Sequence, residues 1–387
     1  MIRTLLGAFG NPRVEVVLWT GEHIRTGDAE PWASMKIADR KTLLKLVADP
    51  DVQFGEAYSV GKIEVEGDLL RLIEDLYVRG SEVPSPLRRR FAEWRHRRRK
   101  NTLSGSRQNI HHHYDIGNEF YSLWLGETMA YTCAYFPVPT ATLDEAQTAK
   151  MDHVCRKLRL KPGEQVVEAG CGWGTLALHM ARHYGAKVRA FNISREQIAY
   201  ARERAKQSGL DGQVEFVEDD YRNIRGQYDK FVSVGMLEHV GLENYRELGR
   251  IIGSCLKPHG LGLIHSIGRN RPKPMHRWIE RRIFPGANPP SLKQMMDIFE
   301  DYNFSVLDVE NLRLHYAKTL EWWHTLYERS KERVAQMFDE RFVRMWRLYL
   351  IGSQAAFTAG ELQLFQIVFA PGRSNEIPWT RADLYQR

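Results

Sequence analysis

Gln165-Val166-Val167-Glu168-Ala169-Gly170-Cys171-Gly172-Trp173-Gly174 reads as a buried strand running into a glycine turn. Val166, Val167 and Ala169 supply the apolar strand. Three glycines at alternate positions allow the backbone to approach a ligand where a β-carbon would clash. From Thr175 the pattern turns helical, with Leu176, Leu178, Met180 and Ala181, so the free N–H groups of a helix start face the same space. Alone, such a turn suits an adenosyl cofactor, a dinucleotide or no ligand at all. The stretch that follows narrows the choice of fold. Lys187–Asn192 is a second strand, Asn192-Ile193-Ser194-Arg195-Glu196-Gln197 opens a second helix, and a third strand at 214–217 ends in Glu218-Asp219-Asp220-Tyr221. Strands alternating with helices, with polar residues at each strand end, predict an open parallel sheet whose site lies at its carboxyl edge.

The 387 residues suit one large domain and a smaller one, and 43% hydrophobic residues are enough for a core. The formal charge of +7 is local: residues 88–100 hold eight Lys or Arg against Glu93, and 8 − 1 equals the whole net charge. Cys133, Cys155, Cys171 and Cys255 are widely spaced without a Cys-x-x-Cys pair. A disulfide framework and a zinc site are therefore not indicated, and a reducing cytoplasm fits. No apolar run approaches the roughly 20 residues needed to cross a bilayer, and the first ten residues have too short an apolar centre for a secretory signal. The expectation is a cytoplasmic protein, peripheral to a membrane at most.

Residues 1–85 read as a small α+β domain, with a strand at 14–19 and helices at 39–49 and 67–78. Residues 57–68 alternate like an edge strand, and Asp68 caps the following helix. Two prolines in 81–86 mark a boundary. The basic run 88–100 carries Phe91 and Trp94 three residues apart, on one face if helical; it suits an anionic membrane, nucleic acid or a solvated linker. Three consecutive histidines, His111 to His113, cannot share one helix face, so a metal site is not expected there. No basic residue adjoins Cys133 in sequence, which argues against a nucleophilic thiol.

Read together, several motifs resemble the cyclopropane-fatty-acid synthase family. They are His113-Tyr114-Asp115, Tyr131-Thr132-Cys133-Ala134-Tyr135-Phe136, Glu168 to Gly174, Asp220-Tyr221-Arg222, Val234-Gly235-Met236-Leu237-Glu238-His239-Val240-Gly241 and Leu263-Ile264-His265-Ser266-Ile267-Gly268. The resemblance covers residues 109–387, and their order and spacing are far more specific than the glycine turn. Residues 1–85 look like the amino-terminal domain of the phospholipid-acting bacterial members, with 86–108 as a basic linker. The resemblance implies a Rossmann-like class I S-adenosylmethionine-dependent methyltransferase sheet with helical lipid-covering insertions. It also implies a homodimer at the inner membrane surface. The aromatic and proline-rich stretch 272–290 and the helices from 311 to 360 are rich enough in Trp, Phe, Leu and Met to cover an acyl chain. They also suit ordinary core.

By the same resemblance, Tyr131 and Thr132 lie beside the methionine moiety of S-adenosylmethionine, and Gly170, Gly172 and Gly174 beneath the adenosyl group. Asn192 and Gln197 lie near the ribose, and Asp220 and Tyr221 near the adenine. Glu168 fixes the turn or binds the methionine ammonium through water. Asn192 departs from the wider methyltransferase pattern, where an acid accepts both ribose hydroxyls; an amide accepts from one and donates to the other. The catalytic set implied is a bicarbonate ion held by the backbone of Cys133 and Ile267 and by the side chains of Glu238, His265 and Tyr316. Methyl transfer to an unactivated double bond leaves a carbocation, and a proton must leave the new methyl group before a ring can close. Tyrosine and backbone N–H groups can donate to such an anion, histidine can donate or relay, and Glu238 can orient its acidic O–H. The expected reaction is closure of a cyclopropane ring on an unsaturated phospholipid acyl chain. The rival is a methyltransferase that leaves a methyl or methylene branch. A nucleic-acid methyltransferase is disfavoured, because no Asn-Pro-Pro-Tyr-type motif follows the core strands.

Overall fold

The structure, a computed structural model, describes residues 2–27, 29–82 and 116–385. The basic run 88–100 and His111 to His113 lie outside the described residues.

Contacts divide the chain into two units. The larger one is built on seven strands: β5 (Gln165–Ala169), β6 (Lys187–Asn192), β7 (Val214–Glu218), β8 (Tyr228–Val234), β9 (Leu256–Gly268), β10 (Phe304–Asn311) and β11 (Gln363–Pro371). Their order is β10-β11-β9-β8-β5-β6-β7. From β7 to β9 the strands are parallel. β11 runs antiparallel between β9 and β10, so β10 points the same way as the five parallel strands and the all-parallel expectation fails for β11 alone. The parallel order reverses at β5, with β6 on one side and β8 on the other, which opens a crevice beyond the carboxyl end of β5.

Period-two alternation builds both faces of this sheet. Val166, Val188, Val232, Leu263 and Val368 pack into one core beneath Thr175–Tyr184 and Leu143–Lys157. Val167, Phe231, Ile264 and Ile367 enter the other, with Leu248, Ile251 and Ile252 of Tyr245–Cys255. The helix Leu143–Lys157 starts at a capping box, in which Thr142 and Glu145 satisfy each other's backbone N–H groups.

The second unit holds the amino-terminal sheet, ordered β2 (His23–Arg25), β1 (Val14–Leu18), β3 (Ala33–Ile37) and β4 (Ile63–Gly67). β4 is the edge strand read from the sequence, but residues 57–59 belong to the helix Pro50–Ser59 rather than to the strand. Asp68 accepts from Arg71 N at 2.9 Å, as its capping role requires. Residues 274–285 and 316–362 also belong to this unit. Specific bonds explain the recruitment. Arg344 donates to the carbonyls of Tyr58 and Ile63 at 2.7 and 3.1 Å, Arg277 pairs with Asp49, and Arg282 pairs in two-pronged fashion with Glu56. Trp278 lies against Gly55, where a β-carbon would come within 2.4 Å of the indole.

Candidate active site

The glycine turn after β5 is pinned to its neighbour. Gly170 N and Cys171 N both donate to the Phe191 carbonyl of β6, at 2.9 and 3.0 Å. Gly172 has φ +53°, and a β-carbon there would meet nothing within 4 Å, so this residue lies bare against open space. Gly174 serves a different purpose. Its β-carbon would come within 2.5 Å of Phe216 and 2.8 Å of Ala201, so it lets the helix Thr175–Tyr184 seat on the sheet. It does not line the cleft.

That cleft encloses about 770 Å³, counting the solvent at its mouth. Of the residues anticipated for the cofactor, Tyr131, Thr132, Glu168, Gly170, Gly172, Asn192 and Gln197 line it. Asn192 donates to Gln197 Oε1 at 2.7 Å and to the Gly172 carbonyl at 3.3 Å, while its Oδ1 accepts from Ile193 N. Its amide therefore braces the turn as well as facing the cleft. Asp220 and Tyr221 are not among the lining residues. Both Asp220 oxygens are engaged by Arg222, at 2.8 and 3.0 Å, and the buried Tyr221 hydroxyl has no partner.

The loop 128–136 is fastened from behind by the helix Leu143–Lys157. Gln147 donates to the carbonyls of Ala130 and Thr132 at 3.2 and 2.9 Å, and Lys150 donates to Thr132 Oγ1 at 3.0 Å. Neither residue was anticipated from sequence. Their i, i+3 spacing behind the Thr142/Glu145 box was the available signal, though it shows only that they share a helix face. The Cys133 thiol is buried and donates to the Ala134 carbonyl at 3.1 Å.

A second group sits where β8 and β9 end. Glu238, in the short turn after β8, accepts from Ile267 N at 2.5 Å. Its other oxygen is buried without a partner. Burial raises its carboxyl to about 7 against the bonds from Ile267 and Ser266. The Ile267 N–H is thus already spent on Glu238. On β9, His265 is paired across the ladder with Gln366 of β11, whose Nε2 donates to His265 Nδ1 at 3.1 Å. Burial holds the imidazole well below its ordinary pKa, so it is neutral and carries its proton on Nε2. That Nε2–H is buried and unpartnered. Gln366, also unanticipated, therefore sets the tautomer. Tyr316 belongs to the other unit, where it is buried and stacks on Phe357 at 4.5 Å.

Residues 101–367 match the family described as mycolic acid cyclopropane synthetase, and residues 1–83 match a domain of unknown function. The chain belongs to the cyclopropane synthetase family. It is 40% identical over 264 residues, 68% of each chain, to the cyclopropane-fatty-acyl-phospholipid synthase of Escherichia coli K12. It is 38% identical over 95% of each chain to a Pseudomonas putida protein named as a probable fatty acid methyltransferase. Among solved structures, mycolic acid cyclopropane synthase CmaA1 complexed with SAH and CTAB superposes with a TM-score of 0.65 at 28% identity, covering 68% of this chain and 97% of that one. The seven-stranded unit is accordingly the Rossmann-like sheet of a class I methyltransferase. The family's chemistry is S-adenosylmethionine-dependent methyl transfer to lipid chains. The cleft fits that cofactor by its bare Gly172 backbone and by a buried, unpartnered Glu168 Oε2.

Proposed function

We propose that this protein adds a methylene bridge across the cis double bond of an unsaturated acyl chain carried by a membrane phospholipid. The observation that carries this reading is the pair of buried, unpartnered atoms at the ends of β8 and β9, Glu238 Oε2 and His265 Nε2. Methyl transfer alone needs alignment and exclusion of water; ring closure needs, in addition, a place to put a proton. His265 Nε2–H can donate to an anion, and Glu238, oriented through Ile267 N, can accept an acidic O–H. These groups suit bicarbonate, which supplies when bound a base that the lipid cation cannot irreversibly alkylate. Cys133, through its backbone, and Tyr316 complete the set by resemblance, while the Ile267 N–H, which the resemblance also assigns to the ion, is engaged by Glu238. Tyr131, Thr132, Glu168, Gly170, Gly172, Asn192 and Gln197 are proposed for the methyl donor, whereas Gly174, Asp220 and Tyr221, expected beside it, lie outside the lining of the cleft.

The domain division carries a further proposal: residues 1–85 associate with lipid, 86–108 form a basic linker that meets the anionic inner surface of the cytoplasmic membrane, and 109–387 are catalytic. A homodimer is the assembly proposed. Among the described residues no helix is long and apolar enough to cross a membrane. The alkyl chain of CTAB in the CmaA1 complex supports an acyl-chain substrate. One observation favours the branching reading: the relative matched along 95% of this chain is named for methyl transfer.

The test is incubation with methyl-labelled S-adenosylmethionine and vesicles of unsaturated phospholipid, with and without bicarbonate. High-field ring protons in the lipid extract, dependent on bicarbonate, are the expected result. A product containing only methyl-branched chains overturns the ring and leaves the methyltransferase reading in its place.

A further inference from the structure

A second cleft, in the amino-terminal unit, is lined by more positive charge than the fold uses. It encloses about 740 Å³, counting the solvent at its mouth, and its walls carry Lys45, Lys62 and Arg281. These come from three elements: the helix Arg40–Ala48, the turn before β4 and the helix Arg277–Arg282. Each backbone is fixed. Lys62 N closes its turn on the Ala57 carbonyl at 2.8 Å, and Arg277 and Arg282 anchor their helix to Asp49 and Glu56. The cations themselves are less committed. Among the described residues the Lys45 and Arg281 side chains have no hydrogen bond or ion pair, and the Lys62 ammonium directs one N–H to Asp39 at 2.9 Å. Glu56, the acidic residue of the lining, is gripped through both oxygens by Arg282 and has Arg341 at 3.7 Å, so its charge is already matched. Five basic groups against Glu56 and Asp39 leave three positive charges over. Like charges gathered without a counter-charge repel one another and suit an anionic ligand.

We propose that this cleft takes the phosphate of a phospholipid head group, with Lys45, Lys62 and Arg281 donating to its oxygens. The inference rests on the reading that residues 1–85 associate with lipid, and it adds a contributor from outside them, Arg281. Phosphate fits the donor set. Two ammonium groups act as rotatable point charges, and a guanidinium offers a planar fork to two oxygens of the same anion. The surroundings favour a lipid over a free anion or an acidic peptide. Val60, in the lining, is 51% exposed, and Leu44, beside Lys45 in its helix, is 48% exposed. Aliphatic side chains left in water next to uncommitted cations match a surface whose anionic layer lies over hydrocarbon. An acidic peptide presents carboxylates along a length, which calls for a stripe of cations rather than one concavity.

Co-sedimentation of the full chain with vesicles of phosphatidylethanolamine and phosphatidylglycerol, at about 0.15 M salt to screen diffuse attraction, tests the site. Lys45→Gln combined with Arg281→Gln should weaken binding by about tenfold or more, as loss of two charge-assisted contacts predicts. Arg40→Gln combined with Lys41→Gln removes the same charge from exposed positions outside the lining, and should weaken it by about threefold at most. Lys45→Arg, which keeps the charge, should bind within about threefold of the wild type. All four positions are exposed, and equal thermal midpoints check that the fold survives. The basic run at 88–100 is intact in every variant, so its contribution is common to all. Calorimetric titration with inorganic phosphate separates the two sources of the anion: the wild type should bind it, and the Lys45→Gln, Arg281→Gln variant should not. Phosphate binding with equal vesicle losses in the two double variants assigns the cleft to a free anion and overturns the lipid head group. Equal losses without phosphate binding overturn the cleft altogether and leave the lipid association of residues 1–85 standing. Failure of the wild type to sediment with the vesicles overturns that association and this inference together.

Discussion

Glu238 shows at the level of one residue what burying a carboxyl costs the fold. In the unfolded chain its carboxyl ionises near the ordinary value of about 4.3. Burial in the folded protein raises it to about 7, opposed by the bonds from Ile267 and Ser266. The sign follows directly: below about pH 4 both states hold the proton and there is no penalty. As pH rises the unfolded state releases its proton first, so stability falls until the folded carboxyl also ionises near 7, and is flat above. Glu238→Gln keeps an acceptor for Ile267 N and removes the titration. The variant should therefore be more stable than the wild type by about 2 kcal/mol above pH 7 and equal to it near pH 4, while ring formation is lost. Thermal unfolding from pH 4 to 9 checks this, and a difference independent of pH would sink it. At this scale the glycine turn was legible as a backbone feature and Glu238 as a candidate, because each is embedded in a contiguous motif. Lys150 was not, since a lysine on a polar-looking helix reads as solvated until its neighbours are known.

Among the elements, the helix Leu143–Lys157 connects the loop at 130–132 to the far edge of the sheet. Its middle turns hold the loop at 130–132 through Gln147 and Lys150. Its last turn meets β10: His153 Nε2 and Lys157 Nζ lie 2.7 and 2.6 Å from the same Glu310 oxygen. Burial would raise the Glu310 carboxyl, but His153 and Lys157 outweigh it and hold it at about 2. A depressed carboxyl contributes stability above its unfolded value, lost as pH falls from about 4.3 through 2. Glu310→Gln, which leaves the buried Lys157 ammonium with only Asp308 at 3.6 Å, should destabilise the protein at pH 7 by about 2 kcal/mol, discounted for the partly exposed carboxylate. It should also flatten the acid limb of the stability curve below pH 4. Denaturant melts at pH 3, 5 and 7 would show both effects, and an acid limb unchanged in the variant would assign the loss to other carboxylates. Hydrophobic periodicity located this helix's neighbours well, as with Thr175–Tyr184, whose start was read correctly. It could not show which strand edge Lys157 reaches, because Glu310 lies 153 residues away.

For the whole molecule, the net charge of +7 equals that of residues 88–100, so the proposed attraction to an anionic surface would be concentrated in that one segment. Each basic residue near such a surface contributes about 1 kcal/mol, so replacing four arginines there should weaken vesicle binding by about 10³-fold at low salt. Raising the salt should mimic the substitutions. Co-sedimentation with anionic vesicles that responds to neither change would leave the run as a linker. Several features followed from the sequence alone: the strand-turn-helix unit around Gly170 to Gly174, the alternation that continues it, the cap at Asp68, and the ordered motifs that carry the family resemblance. Each is encoded in a few consecutive residues, where backbone conformation and side-chain periodicity act directly. Others were decided only in three dimensions. β11 runs antiparallel between β9 and β10, residues 316–362 join the amino-terminal unit, Gln366 sets the proton on His265 from 101 positions away, and Lys150 faces one cleft with Glu168. The reason is physical: such neighbours are chosen by burial and hydrogen-bond satisfaction between segments distant in the chain, and these leave no period or spacing in the sequence itself.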